Sequence, residues 1–242
     1  GPIPSFPGAV TRAPDWISPR APFDVARYFE LPAPEENAAP LYLDALFEFS
    51  NELAICFPEG PARQARSQAL EERGKRFGEL LVASANAPKA VTAAMIDEAI
   101  APYAEGFRKL AEAQRRPRCV FAAGLGLTAR LPHVQGARQV GRIAAYRIRR
   151  DLERGEIDAA IRDLAITLRL ARDLRPRGGM VMQLVAASLD ATVIKDGLLP
   201  ILASPQIRPE HADRLLAIFR EDLRESVDGY AEGMREEYLT HV

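Results

Sequence analysis

Proline is distributed unevenly along this chain. Nine of the 19 prolines lie in the first 40 residues, where they interrupt helices and central strands alike. Residues 1–34 are therefore predicted to form an extended arm, and residues 35–242 a single helical domain. Gly1-Pro2 is typical of the remnant left by a tag-cleaving protease, so we exclude this pair from the reasoning on fold. The aromatic residues of the arm, Trp16 among them, predict that it lies against the body.

The composition of the remainder favours helices. Ala and Leu, with 40 and 26 residues, lead the helix-propensity ranking, and aromatic residues make up only 7% of the chain. Apolar residues recur at spacings of three and four, which predicts helices over 37–57, 62–85, 91–116, 137–154, 156–174, 180–202 and 210–239. The predicted fold class is all-α, with about seven antiparallel helices stacked as helix hairpins in a solenoid-like manner.

One predicted hairpin has a recognisable turn. Arg154-Gly155-Glu156-Ile157-Asp158-Ala159-Ala160, followed by an apolar helix, resembles the turn and second helix of a tetratricopeptide repeat. The helix before it lacks the aromatic and glycine signature of that repeat, and no period of about 34 residues recurs. The resemblance therefore predicts one repeat-like hairpin and not an array.

A wider resemblance covers most of the chain. It is carried by Glu36-Asn37-Ala38-Ala39-Pro40-Leu41-Tyr42, by Arg116-Pro117-Arg118-Cys119, by the Leu131-Pro132-His133 turn and by the Gly155 hairpin. In pattern and order these segments resemble uncharacterised helical proteins of planctomycete bacteria, a family with no assigned activity. The resemblance implies a helical fold and, because such proteins often look exported, favours a periplasmic or other extracytoplasmic location. A signal peptide or anchor upstream of residue 1 stays open.

Several chemistries are disfavoured by what the sequence lacks. His133, His211 and His241 lie far apart and no CxxC motif occurs, so no metal site is predicted. Gly124 to Ala129 fit GxGxxA, but Pro132 blocks the helix that a dinucleotide site needs, so we predict no cofactor. Nucleic acid is not an expected partner, because lysines are scarce and aromatic residues do not alternate with the arginines. No apolar stretch reaches the roughly 18 residues of a transmembrane helix.

The two cysteines, Cys56 and Cys119, allow two interpretations. Free cysteine is among the most buried residue types, which favours two buried thiols. A disulfide between them would require an oxidising compartment.

Charge is segregated along the chain. Residues 113–150 contain nine arginines and no carboxylate, whereas residues 210–242 contain nine acids and four arginines. In a structural interpretation, the acidic last helix lies beside the basic stretch and neutralises it through carboxylate–guanidinium pairs. In a functional interpretation, the basic stretch lines a groove for a phosphate, an acidic lipid head group or an acidic partner.

The candidate site residues follow from this segregation. Arg118, His133, Arg138 and Arg142 are the predicted ligand-binding residues, since Arg138 and Arg142 are four apart on one helix face and His133 stands at the start of that helix. Asp190, in the most apolar helix, is predicted to form a buried ion pair with an arginine. No catalytic residue is assigned, because no nucleophile elbow, phosphate loop or paired carboxylates occur.

The functional expectation is a non-catalytic helical scaffold that binds a protein or peptide partner in a groove. One alternative is a binding protein for a small anionic ligand or an acidic lipid head group that uses residues 115–150. A second alternative is a helical enzyme of unknown chemistry. A scaffold predicts a broad open groove, a ligand binder an enclosed cavity with convergent polar groups, and an enzyme titratable groups within hydrogen-bond reach.

Overall fold

The computed structural model describes residues 4, 8–17, 21–124 and 130–241. The fold is all-α, which confirms the predicted class. Its α-helices are α1 (Val25–Phe29), α2 (Ala39–Leu46), α3 (Pro61–Asn86), α4 (Ala93–Ile100), α5 (Ala104–Ala113), α6 (His133–Arg154), α7 (Ile157–Asp173), α8 (Met180–Thr192), α9 (Leu199–Ala203), α10 (Pro209–Glu225) and α11 (Gly229–His241). Within the described residues, sheet is limited to β1 (Ala9–Val10), which pairs antiparallel with β2 (Ala123–Gly124). The antiparallel succession of hairpins and the solenoid-like stacking remain predictions.

Caps and prolines set the helix boundaries in the first half of the chain. The helix predicted over 37–57 is interrupted after α2, and a 3₁₀ helix over Asn51–Cys56 follows. The Ser50 hydroxyl caps this 3₁₀ helix by accepting from the Glu52 amide. The Thr92 side chain accepts from the Met95 amide and starts α4. A 3₁₀ turn over Ala101–Tyr103 then separates α4 from α5, and Pro102 within it lacks the amide proton that a continuous α-helix would use.

Helices α6 and α7 are joined by a tight turn. Gly155 adopts the left-handed conformation with φ of 77°, and its amide donates to the carbonyl of Leu152. Across this turn the Arg147 guanidinium pairs with the Asp163 carboxylate at 2.5 Å. One apolar stripe of α7 is buried, and so are Ile166 and Leu170 on a second face. The stripe consists of Ile157, Ile161, Leu164, Leu168 and Ala171. α7 is therefore covered on two sides.

A π-helical segment over Val193–Leu198 connects α8 to α9. Pro200 has no amide proton for the carbonyl of Asp196, four residues before it, and its ring would crowd that carbonyl in a regular helix. A wider turn at this place relieves the crowding. Gly197 lies within the segment, and a Cβ there would stand 3.2 Å from Ile148 and 3.3 Å from Leu164, so the segment lies close against α6 and α7.

Three clusters of buried apolar side chains stabilise the fold. The largest joins residues of all the helices from α2 to α8, and includes the fully buried Tyr42 and Phe77. A second cluster lies between α7, the π-helical segment, α9 and α10. The third joins α1 to α11 through Tyr28, Phe29 and Leu239. The two ends of the described chain therefore share one small core.

Two sequence expectations need correction. The arm is not wholly extended, because the Asp24 carboxylate accepts from the Arg27 amide at 3.0 Å and starts α1. Trp16 is 57% exposed, so its ring is not buried against the body as predicted. The single helix predicted over 210–239 is two helices. Asp228 accepts from the amides of Tyr230 and Ala231, so a new helix starts at Gly229.

Candidate functional site

An open groove runs along α7 between the 114–120 connection and α10. Its two parts, of about 600 and 280 Å³, share the lining residues Gln114, Arg169, Arg172 and Glu221. The arginines in its lining are Arg115, Arg116, Arg118, Arg162, Arg169, Arg172 and Arg214. The carboxylates are fewer: Asp173, Glu221, Asp222 and Glu225. We refer to these residues and the space between them as the arginine groove, and its lining carries an excess of positive charge.

The basic connection of the groove is held in place by Asn37. The Asn37 side chain donates to the carbonyl of Val120 at 2.9 Å and accepts from the Val120 amide at 2.9 Å. The Ala38 amide donates to the carbonyl of Arg118 at 2.8 Å, and the Arg118 amide donates to that of Glu36. These bonds fix the backbone of the connection, while the Arg118 side chain stays exposed, 3.8 Å from the Glu36 carboxylate.

A buried hydrogen-bond network forms the floor of the groove. The Tyr42 hydroxyl donates to Asp173 at 2.7 Å, and Arg169 Nε donates to the same carboxylate at 2.8 Å. Burial raises the pKa of Asp173, which Arg169 partly counters, and burial together with Asp173 raises the pKa of Tyr42 well above its usual value. Burial likewise raises the pKa of the neighbouring Cys119 thiol. The network therefore orients Arg169 and does not activate a nucleophile.

Arg172 is the most unusual side chain of the groove. It is only 7% exposed, yet its hydrogen bond to the carbonyl of Glu221 is 3.4 Å long and its carboxylate neighbours, Asp173 and Glu221, stand 3.8 Å away. A guanidinium has five N–H donors, and a buried one normally engages them at shorter distances. Among the described residues, the side chains of Arg116 and Arg162 have no hydrogen bond or ion pair. The groove therefore retains unused donors.

The wall formed by α10 brings carboxylates toward α7 and α8. One oxygen of Asp222 is buried without a hydrogen bond, and burial and the charge of Asp190 raise its pKa. Asp190 itself forms an ion pair with Arg175, and about a third of its side chain is exposed. Burial raises the pKa of Asp190, against the opposing effect of Arg175. The acids on this wall border the groove on one side only.

The four predicted ligand-binding residues are not brought together. Arg118 lines the arginine groove, but His133 is buried and stacks on Phe121 at 4.8 Å, and burial lowers its pKa to about 3. Arg138 and Arg142 are exposed on α6 and lie outside the groove lining. Because α6 turns by about 100° per residue, they point about 140° and 180° away from His133.

Among the described residues, no ion pair joins the basic stretch to α10 or α11. The half-buried and buried arginines of the stretch pair elsewhere, Arg147 with Asp163 of α7 and Arg150 with Asp97 of α4 at 2.8 and 2.9 Å. In the described part of the chain, Glu221 of α10 instead faces the α7 arginines Arg169 and Arg172. The expected pairing of the basic stretch with the last helix is therefore not found among the described ion pairs, although α10 does line the arginine groove together with residues 115–118.

Other expectations concern metals, thiols and membranes. Both Cys56 and Cys119 are free and buried. In the ranges 8–17, 21–124 and 130–241, no cluster of three or more His, Cys, Asp or Glu side chains could hold a metal ion. Over the same ranges, no helix has the length and apolar character to span a bilayer. Residues 125–129 of the GxGxxA pattern lie outside the described residues.

Sequence reasoning missed Tyr42, Arg169, Arg172 and Asp173. The available signal was the presence of charged residues in α7, a helix whose apolar residues already cover two faces.

Comparisons of the chain with family models, curated proteins and solved structures found no match. The resemblance to planctomycete helical proteins thus stays a prediction.

Proposed function

We propose that this chain is a non-catalytic binding module whose arginine groove holds an acidic segment of a partner protein. The observation that carries the proposal is the buried Arg172, whose donors are under-used, in a groove lined by seven arginines. Arginine presents a planar fork that matches carboxylate geometry. The exposed arginines of the groove, which an incoming chain can reach, are Arg115, Arg118, Arg162 and Arg214.

The shape of the groove supports a peptide over an enclosed small ligand. From Arg162 to Arg172, α7 advances about 15 Å, which an extended chain spans with about five residues. Part of the lining is apolar and includes Ile166, Leu168 and Ile218. A lining with apolar side chains beside basic ones suits a segment in which acidic residues alternate with apolar ones.

The proposal is tested by fluorescence polarisation with a labelled peptide in which about six residues alternate between Glu and Leu. We expect binding at about 0.01 M salt that weakens at about 0.15 M, where the Debye length falls from about 30 Å to about 8 Å. Replacing each Glu by Gln in the peptide is expected to weaken binding roughly tenfold or more. Equal binding of the Glu and Gln peptides would contradict the proposal.

Variants locate the binding surface. Arg116→Ala with Arg118→Ala removes two charges from the groove, and we expect it to weaken binding roughly tenfold. Arg138→Ala with Arg142→Ala removes two exposed charges from α6 and serves as the matched control. Binding to inorganic phosphate or to anionic vesicles with no binding of the acidic peptide would favour the alternative, a module for a small anion or a lipid head group.

A further inference from the structure

A second cleft lies outside the arginine groove. It has a volume of about 570 Å³ and is bounded by the end of α3, by α6 and by the π-helical segment with α9. This volume is in the range of small-molecule sites. Its lining shares no residue with the arginine groove. An occupant of the cleft would therefore bind independently of the proposed peptide partner.

The walls of the cleft are largely apolar. Pro88 and Val91 follow α3, Leu152 lies on α6, and Pro200 stands at the start of α9. Between them, Ala145 has a small side chain that leaves the space open. An apolar body of aromatic or alkyl character is the kind of group that such walls bind.

The polar groups of the cleft are mostly acceptors. Arg149 pairs with Glu153 at 3.0 Å, and Glu153 is also contacted by Arg150, so the only guanidinium of the lining is already engaged. Asp196 is exposed and has no ion pair among the described residues.

The two hydroxyls of the wall are bonded to each other. Tyr146 donates to the Ser84 oxygen at 2.9 Å, which leaves the phenol oxygen as an acceptor. The ring of Tyr146 is a part of the wall, and Phe77 packs against it at an interplanar angle of 85°. Aromatic rings attract cations over their faces. Acceptors, one uncompensated carboxylate and an aromatic ring together form an environment for positive charge.

We propose that this cleft binds a small organic cation, an ammonium group carried on an apolar aromatic or alkyl body. The ammonium lies against Asp196, and the apolar body fills the space over Ala145 between Val91, Leu152 and Pro200. The π-helical segment supplies the site with its carboxylate, that of Asp196. The proposal goes beyond the peptide groove and does not depend on it.

The test is calorimetric titration with three probes of one shape and different charge: naphthylmethylammonium, naphthylmethanol and naphthylacetate. We expect the ammonium to bind at least tenfold more tightly than the alcohol and the carboxylate. Asp196→Asn is expected to weaken ammonium binding roughly tenfold, and Ala145→Trp, which fills the cleft, to abolish it. Asp213→Asn, an exposed acid of α10 without an ion pair in the described residues, is the matched control.

Three results would overturn the proposal. The first is that naphthylacetate binds as tightly as naphthylmethylammonium or more tightly. The second is that Asp196→Asn and Asp213→Asn bind the ammonium with equal affinity. The third is that the unmodified chain does not bind the ammonium. Circular dichroism establishes that each variant is folded before its affinity is compared. If Asp196→Asn did not fold, Ala145→Trp and the comparison of the three probes would still decide the matter.

Discussion

Buried arginines of α6 and of the arginine groove differ in how closely a carboxylate approaches them. Arg147 and Arg150 engage Asp163 and Asp97 at 2.5 to 2.9 Å, and both guanidiniums are mostly buried. Arg172 in the groove is equally buried but stands 3.8 Å from its carboxylates. Among these three arginines, the distance to the nearest carboxylate is what separates Arg172 from the other two.

Buried and exposed ion pairs also differ in what they contribute to the free energy of unfolding. Removing one member of a buried ion pair costs about 3–5 kcal/mol, because the other charge is left buried and unpaired, whereas an exposed pair contributes about 0–1 kcal/mol. The α6 pairs are expected to contribute to stability, and the groove arginines to binding. Substitutions on either side of this division separate the two roles.

The largest effect is expected from Asp163→Ala. The Asp163 side chain is 2% exposed, and its loss leaves Arg147 without its carboxylate beside the ring of Phe107. We expect the free energy of unfolding in urea to fall by about 3–4 kcal/mol. Asp158 also lies on α7, and its exposed carboxylate pairs with Arg214 of α10. We expect Asp158→Ala to lower the free energy of unfolding by about 1 kcal/mol or less. Equal costs for the two variants would remove the basis of the comparison.

Tyr42→Phe tests the floor of the groove. The buried Asp173 carboxylate loses the hydroxyl that donates to it, so we expect a loss of about 2 kcal/mol in urea unfolding. Tyr146→Phe removes the half-buried bond to Ser84 and is expected to cost about 1 kcal/mol. If Tyr42→Phe cost nothing, the Tyr42–Asp173 bond would not help to hold Arg169.

A carboxyl that has no arginine partner among the described residues can be compared with one that has. Glu236 of α11 lies against Gly179, and burial together with the charge of Glu237 raises its pKa to about 7. By contrast, Arg150 holds the pKa of Asp97 below its usual value. Below pH about 4.5, Glu236 is protonated in the folded and unfolded states alike. Between about 4.5 and 7 the unfolded state releases this proton first, so stability falls as the pH rises, and above pH 7 the whole penalty remains.

Glu236→Gln should therefore stabilise the docked α11 above pH 7 and have little effect near pH 4. We expect a gain of about 1–2 kcal/mol, allowing for partial exposure. Hydrogen exchange of peptides covering 229–241, compared at pH about 5 and about 8 after correction for the intrinsic rate, measures it. Identical pH profiles for the variant and the unmodified chain would show that Glu236 is not a buried acid.

The smallest stability effect is expected from Arg118→Ala. The side chain is exposed and 3.8 Å from Glu36, so the free energy of unfolding should change by less than about 0.5 kcal/mol. The same variant should nevertheless weaken acidic-peptide binding several-fold. A large stability loss in urea unfolding would place Arg118 with the structural arginines.

The sequence was informative wherever a local rule decides the structure. The apolar stripe of α7 and the left-handed Gly155 follow from periodicity and from glycine geometry. The division of the last helix at Asp228 follows from a capping rule as well, yet the helical periodicity on both sides concealed it.

The site could not be predicted in the same way. The groove exists because the Gln114 side chain donates to the carbonyl of Ile166, 52 residues along the chain, and because α10 lies beside α7. Periodicity shows that a face is buried but not which segment covers it. The predicted grouping of His133 with Arg138 failed because closeness in sequence does not place two residues on one side of a helix.

The measurement that tests the central claim most directly is photo-cross-linking of the acidic peptide, with a benzophenone side chain at its centre, followed by mass spectrometry. The account predicts cross-links to the lining of the arginine groove, at residues 114–120, on α7 from Arg162 to Asp173 and on α10. It also predicts their loss with Arg116→Ala and Arg118→Ala. Cross-links on the exposed face of α6 around Arg138 and Arg142, unchanged in that variant, would contradict it.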